Sequence, residues 1–206
     1  RKMDIVMLLT TEFLNFGKFE TGPVGNFYSF NPVEGDRVRI GGRTTPEFSR
    51  WIYLEPYLAY GFTDRQFKYN LKTTYSLTGT SIYRFPVKSL SLNWKYDTKF
   101  PGQDLQYATG DNIFLSLKRG RDDKLLYDKT FRLEYFNEFE NHFSWTLGYD
   151  FTSESAAGVL HFYNGEDLQR GNGLRNIYIS EAFLKLRYAP HEEFYQGKIY
   201  RDPVPS

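Results

Sequence analysis

The chain has 206 residues, with 26 lysines and arginines against 25 aspartates and glutamates, and a formal net charge of +1. This balance lacks the basic excess of a nucleic-acid-binding protein, and no run approaches the roughly 18–20 apolar residues of a membrane-spanning helix. Cysteine is absent, which excludes disulfides, zinc–thiolate sites and thiol nucleophiles. Aromatic residues make up 19% of the chain, which argues against disorder. The length predicts one domain or part of a larger one.

Residues 1–18 show no clean period and are interpreted as a lead-in segment, either irregular or a short helix. From residue 19 to residue 206 the dominant pattern is the apolar–polar alternation of β-strands with two unlike faces. The clearest runs are 65–77, 87–96, 125–137, 143–152 and 178–188. Less regular runs are 36–44, 51–61, 112–118, 158–163 and 194–200. We therefore predict an all-β chain, an antiparallel meander of about nine or ten long strands.

The connections between these runs differ in length. Residues 61–64, 119–124 and 138–142 are short turns, whereas a longer connection opens at 101–102 and a glycine-containing loop covers 164–176. Short and long connections roughly alternate, which is typical of the two rims of a bacterial barrel.

Strand length and aromatic placement indicate what the apolar face contacts. The best runs have ten to thirteen residues, close to the ~9–11 of a tilted membrane strand and longer than the ~5–6 of most soluble strands. Amphipathic aromatic rings prefer the headgroup level of a membrane. They cluster toward the ends of runs at Trp51, Tyr53, Tyr75, Trp94, Tyr96, Tyr127, Tyr135 and Tyr188. We predict that the apolar face meets lipid, as part of an outer-membrane β-barrel.

The opposite face of the strands is charged, and it predicts a polar network that faces the lumen of the barrel. Arg37, Arg39 and Arg43 share one strand face, and Gly41-Gly42 between them allows a bulge or a close backbone approach. In one interpretation the network plugs or gates the barrel, or binds a partner segment. In the other it is simple charge pairing that keeps the lumen hydrated. Its predicted members are Arg37, Arg39, Arg43, Glu55, Arg132, Glu134, Glu181, Lys185 and Arg187.

Three stretches carry a resemblance to a known family: 27–44, which includes the letters NPVEG and RVRIGGRT, 57–64 (YLAYGFTD) and 181–189 (EAFLKLRYA). The chain resembles a Bacteroidetes outer-membrane family of unknown function with an N-terminal carboxypeptidase-regulatory-like domain followed by a β-barrel, which is distantly similar to outer-membrane assembly-factor barrels. The resemblance spans roughly residues 19–200 and implies that this chain is the front part of the barrel. It implies no reaction.

Catalytic and metal-binding patterns are weak. His142, His161 and His191 are far apart and lack metal-ligand spacing, and Ser153 and Ser155 near His161 lack a nucleophile elbow. We expect no catalytic residue, metal or cofactor. The expected function is that of an integral, non-enzymatic protein of the bacterial outer membrane with a role in envelope biogenesis, scaffolding or transport.

The expected partners are outer-membrane lipid and other envelope proteins, without nucleic acid. Two alternatives stay open. One is a soluble β-barrel or sandwich that binds a ligand, and the other is an outer-membrane hydrolase.

Overall fold

The computed structural model describes residues 13–101, 124–163, 173–190, 192–196 and 201–203. Within these residues the chain is all-β, with one 3-10 turn at Val24–Asn26 and no α-helix. No helix of the described part is long and apolar enough to cross a membrane. The predicted strand 112–118 lies outside the described residues, as do most of the predicted turn 119–124 and the predicted loop 164–176.

The described residues form fourteen strands. They are β1 (Leu14–Asn15), β2 (Phe19–Thr21), β3 (Tyr28–Asn31), β4 (Gly35–Thr44), β5 (Ile52–Gly61), β6 (Phe67–Ser76), β7 (Lys88–Lys99), β8 (Lys124–Glu138), β9 (Phe143–Gly158), β10 (Phe162–Tyr163), β11 (Gly173–Leu174), β12 (Asn176–Tyr188), β13 (Phe194–Gln196) and β14 (Arg201–Pro203).

Ten of these strands form a single antiparallel sheet in the order β1-β2-β4-β5-β6-β7-β8-β9-β12, with β3 also paired to β4. Two small hairpins, β10–β11 and β13–β14, stand apart from it. The predicted all-β antiparallel meander is therefore confirmed. Among the described residues β12 forms one edge, and β1 and β3, each with a single neighbour, lie at the other, so the sheet is not closed.

Two predicted boundaries differ from the structure. The run 143–152 continues to Gly158, because the stretch 153–158 keeps its ladder with β8 although it has few apolar side chains. Backbone hydrogen bonds sustain this pairing without a hydrophobic period. As a result, the predicted strand 158–163 is reduced to the two residues of β10.

Strand register assigns side chains to two unlike faces, because directly opposed residues point to the same side of a sheet. One row of neighbours runs Pro56, Leu71, Trp94, Phe131 and Phe151 across β5 to β9. The row one residue over runs Glu55, Lys72, Asn93, Arg132, Asp150 and Glu181 across β5 to β12. We call these two sides the apolar face and the polar face.

The sheet curls with its polar face inside. Arg37 on β4 forms an ion pair with Asp97 on β7 at 2.8 Å, although three strand spacings of a flat sheet amount to about 14 Å. Side chains stand roughly perpendicular to a sheet. The contact therefore requires the strands to bend toward one another on the polar side.

Gly42 marks a close backbone approach, which is one of the two alternatives that the sequence left open for Gly41-Gly42. A Cβ atom on Gly42 would lie 2.3 Å from the carbonyl oxygen of Glu20 on β2. We predict that Gly42→Ala lowers the free energy of unfolding by about 1–3 kcal/mol, because the strands must separate to accept the methyl group. The measurement is the denaturant midpoint for loss of the β-sheet circular dichroism signal.

Gly25→Ala is the matched control, because a Cβ atom there meets no atom within 4 Å. If the two variants unfold at the same denaturant concentration, the close approach of β2 and β4 is refuted.

Candidate functional site: an exposed apolar face and a buried charge network

The apolar face is exposed. Leu71, Leu92 and Leu133 lie near its centre and are each about 40% exposed, while Trp94 is 54% and Leu184 is 60% exposed. No second sheet or helix of the described residues covers these side chains. The arrangement is the reverse of a water-soluble sheet, whose apolar face is packed and whose charged face is wet.

Aromatic rings flank this centre toward both ends of the sheet. We call the end that carries the turns 32–34 and 62–66 the first rim, and the end that carries the connections 45–51, 77–87 and 139–142 the second rim. Tyr69 contacts Trp94 and Tyr96 on the side of the first rim. Trp51 stacks on Tyr75, and Tyr135 contacts Trp145, toward the second rim.

Two lysines on the apolar face lie at its margins. Lys129 is placed over the Tyr96 ring at 5.4 Å, and Lys88 over the Tyr135 ring at 6.0 Å. Lys88 pairs with Asn137, which is eight residues from Lys129 on β8. That separation is about 26 Å along a strand. For a strand tilted by ~40° from the barrel axis it is about 20 Å along that axis, which is comparable with the ~25 Å height of the apolar band of membrane barrels.

Tyr53 does not belong to these aromatic rows, which corrects the sequence prediction. Its register partner is Thr74, so it lies on the polar face, where it is 2% exposed and meets Tyr83 edge to face. The sequence correctly placed Tyr53 near the end of a strand. It assigned the wrong face, because residue type alone groups Tyr53 with the other aromatic rings.

Most of the fully buried large side chains lie on the polar face, and several of them are charged. At the first rim, Lys68 and Glu34 are fully buried and join at 2.7 Å, and Lys68 also contacts Asp64. Arg37 is 2% exposed and pairs with Asp97. We call Glu34, Arg37, Asp64, Lys68 and Asp97 the first-rim cluster. Its two cations lie among three carboxylates, so each cation is compensated in a region from which water is largely excluded.

Neutral groups complete the first-rim cluster. The Tyr57 hydroxyl donates to Asp97, the Tyr127 hydroxyl donates to Asp64 at 3.0 Å, and Thr98 donates to Glu34 at 2.8 Å. Hydrogen bonds of this kind satisfy the lone pairs that ion pairing leaves over.

A tight turn delivers Glu34 to the cluster. The Asn31 side-chain oxygen accepts hydrogen bonds from the backbone N–H groups of Val33 and Glu34, and its amide donates to the Glu34 carboxylate at 2.7 Å. Gly35 follows with a φ of 68°, a conformation that favours glycine. Burial alone would raise the pKa of Glu34, but the charges of Arg37 and Lys68 outweigh it and lower that pKa. Glu34 is therefore held as a carboxylate.

Five of the nine predicted network residues contact an acid or base across the sheet or in the next segment. Arg132 binds Asp150 through two hydrogen bonds of 2.6 and 2.7 Å. The others are the pairs Arg37–Asp97, Arg43–Glu20, Lys72–Glu55 and Arg187–Glu192.

The other four predicted residues also lie in the polar register. Arg39 stacks on Tyr57 at 3.7 Å and Lys185 on Phe183 at 4.5 Å. Glu134 is opposite Ser91 and Gly148, and Glu181 is opposite Asp150. The nine residues thus share a face but are spread along it, and they do not form one site.

Sequence reasoning missed the carboxylates of the first-rim cluster. Glu34 and Asp64 lie in turns, where a charge is normally solvated, and Asp97 lies beyond the end of the predicted run 87–96. The alternation extended by one residue would have placed Asp97 on the polar face. The residues around Arg37 in the sequence do not indicate that it pairs with Asp97 on β7, three strands away in the sheet.

A cavity of about 540 Å³ lies on the polar face near the second rim, beneath the connection 77–87 and the β13–β14 hairpin. Arg201 fastens the hairpin, because it binds both Glu138 oxygens at 3.0–3.2 Å and lies between the Phe194 and Phe85 rings. Burial raises the pKa of Tyr83, which lines the cavity, to about 12. Polar groups fill both ends of the polar face.

The catalytic alternative has no assembled site in the described residues. Ser153 and Ser155 share the register of the apolar face, whereas Glu154 between them points to the polar face and pairs with Lys99 at 2.7 Å. The His161 ring lies 6.4 Å from the Tyr163 ring, and no hydrogen bond joins His161 to either serine among the described residues. No group of three potential metal ligands occurs among the described residues.

Comparisons with family models, with curated proteins and with solved structures find no match for this chain.

The charge compensation of Lys68 leads to a testable difference. We predict that Lys68→Met lowers the free energy of unfolding by about 3–5 kcal/mol, because it removes the cation that Asp64 contacts and leaves the buried Glu34 carboxylate with Arg37 alone. The denaturant midpoint provides the measurement. Lys72→Met is the control on the same strand and face. Its partner Glu55 is 38% exposed, so the loss there is about 0–1 kcal/mol. Equal losses in both variants would contradict the role assigned to the cluster.

Proposed function

We propose that this chain forms part of an integral outer-membrane β-barrel, with its apolar face against lipid and its polar face around a hydrated, partly filled interior. The role is non-enzymatic and belongs to envelope biogenesis, scaffolding or transport. The single observation that carries the proposal is the inverted burial of the sheet. Arg37, Lys68, Glu34 and Asp128 are at most 2% exposed, whereas large apolar side chains at the centre of the other face are 38–54% exposed: Leu71, Leu92, Leu133 and Trp94.

The energetics of the two faces support this proposal. Each apolar side chain left in water forfeits about 1.5–3 kcal/mol of burial energy, and β5 to β12 present such side chains in continuous rows. Hydrocarbon removes that cost. Exposed apolar areas of this extent mark interaction surfaces, and two aromatic rows with a lysine at each margin fit a bilayer better than a protein partner.

The open edges indicate how the barrel is completed. Exposed edge strands are an aggregation hazard that membrane barrels remove by closure. In the proposed barrel, strands outside the described residues pair with the open edges. The resemblance to the family with a regulatory-like domain and a barrel supports this proposal, because it implies that this chain is the front part of that barrel.

The filled interior bears on the role. The first-rim cluster and the hairpin fastened by Arg201 occupy the polar face at its two ends. This arrangement favours scaffolding, or transport that requires the interior to open, over an unobstructed pore.

Adjacent substitutions on β6 test the orientation of the sheet. Leu71 is on the apolar face, opposite Pro56 and Trp94, while Lys72 is on the polar face. We predict that Leu71→Lys reduces folding into phospholipid vesicles, because a lysine in mid-bilayer costs roughly 2–4 kcal/mol. Lys72→Leu should fold with near wild-type yield. The measurement is the fraction of protein with heat-modifiable migration on a gel.

Folding of the unchanged chain in buffer without detergent or lipid serves as the reference, and we expect aggregation there. Equal vesicle yields for the two variants, or a stable fold in buffer alone, would refute the membrane assignment.

A further inference from the structure

A second polar pocket, separate from the charge network, opens at the second rim. It has a volume of about 460 Å³ and lies between the connections 45–51 and 77–87. Arg50 and Arg84 supply its cationic groups, and Thr80 and Ser81 supply hydroxyl groups. We call it the rim pocket.

The two arginines of the rim pocket differ from those of the polar face. Arg37, Arg43 and Arg132 each contact a carboxylate. Within the described residues neither Arg50 nor Arg84 has an ion pair, and both are exposed. Glu47 is the one carboxylate in the pocket wall among these residues, so the pocket carries a net charge of +1. Two guanidinium groups with free donors are available to a ligand.

The rim pocket adjoins the apolar face through one side chain. Trp51 follows Arg50 in sequence and stacks on Tyr75 at 6.2 Å. Its ring also packs against Gly79, where a Cβ atom would lie 2.8 Å from the indole. Gly79 lines the pocket. The two arginines therefore lie beside an exposed aromatic row, which marks the headgroup level of a bilayer.

We propose that the rim pocket binds the phosphate group of a lipid headgroup, with Arg50 and Arg84 as the donors. The planar guanidinium fork matches phosphate oxygens, and charge-assisted hydrogen bonds to phosphate are about twice as strong as neutral ones. Basic pockets at the edge of membrane-embedded surfaces recognise headgroups in this way. This inference rests on the proposed membrane function, because that function places lipid phosphates beside the pocket.

The test uses the purified full chain in zwitterionic detergent micelles and isothermal titration calorimetry. The probes are dihexanoyl phosphatidic acid, dihexanoyl phosphatidylcholine and inorganic phosphate. We predict that phosphatidic acid binds about tenfold more tightly than either of the other two. Arg50→Ala and Arg84→Ala should each weaken that binding about tenfold, because each removes a charge-assisted contact.

Arg175→Ala is the matched control. Arg175 is exposed, precedes β12 and is remote from the pocket along the sheet, so its removal makes the same change in net charge. Its affinity should equal that of the wild type. Glu47→Gln should strengthen binding, because it removes the negative charge nearest the phosphate.

The possible results distinguish a failure of the proposed phosphate site from a failure of the proposed membrane function. Arginine-dependent binding of inorganic phosphate as tight as that of phosphatidic acid overturns the lipid source, and unchanged affinity in both arginine variants overturns the site. If the chain folds without detergent, the proposed function fails. The soluble short-chain probes still decide the pocket in that case.

Discussion

Ionised side chains that are removed from water on one face of a sheet must be neutralised by one another, and the rest of this structure depends on that requirement. Lys68 on β6 is compensated by Glu34 from the β3–β4 turn and Asp64 from the β5–β6 turn. Arg37 connects β4 to Asp97 on β7. Unpaired, such charges cost several kcal/mol each. Paired, they hold non-adjacent strands in a curved arrangement that backbone hydrogen bonds between neighbours do not specify.

The curvature and the apolar face have a common origin in strand geometry. Side chains alternate at every residue, so a strand that directs its charges inward directs its leucines and aromatic rings outward. The unbroken register of β8 with β9, and of β9 with β12, extends this assignment over long strands. A slip of one residue would place Lys95 and Arg132 among the apolar rows. The charge network therefore also fixes the surface that we propose lipid covers.

Much of the fold could be predicted from the sequence because period-2 alternation is a local signal. It located β4 to β9 and β12 to within a few residues, except for the C-terminal part of β9, and it assigned Leu71 and Lys72 to opposite faces. It failed where strands are too short to show a period, as in β1, β2 and β3. It also failed in the stretch 153–158, where polar residues continue the ladder.

The candidate site was less accessible to sequence reasoning. Arg37, Arg43 and Arg132 were assigned to the polar face, but their partners lie 60, 23 and 18 residues away in the chain. Alternation gives a face and not a partner, because the partner depends on strand order and curvature. Glu34 and Asp64 were overlooked because turn carboxylates are usually solvated. Their burial follows from the curling of the sheet over both turns.

The most direct test of the central claim is spin-label accessibility along β7 in vesicles, which the absence of cysteine makes straightforward. Single cysteines are introduced from residue 89 to residue 95 and labelled, and collision with oxygen is compared with collision with a water-soluble nickel chelate. If the apolar face meets lipid, accessibility alternates: residues 90, 92 and 94 are accessible to oxygen from the hydrocarbon, and residues 91, 93 and 95 are shielded from it. If the nickel chelate reaches residues 90, 92 and 94 as readily as oxygen does, the proposed contact with lipid is contradicted.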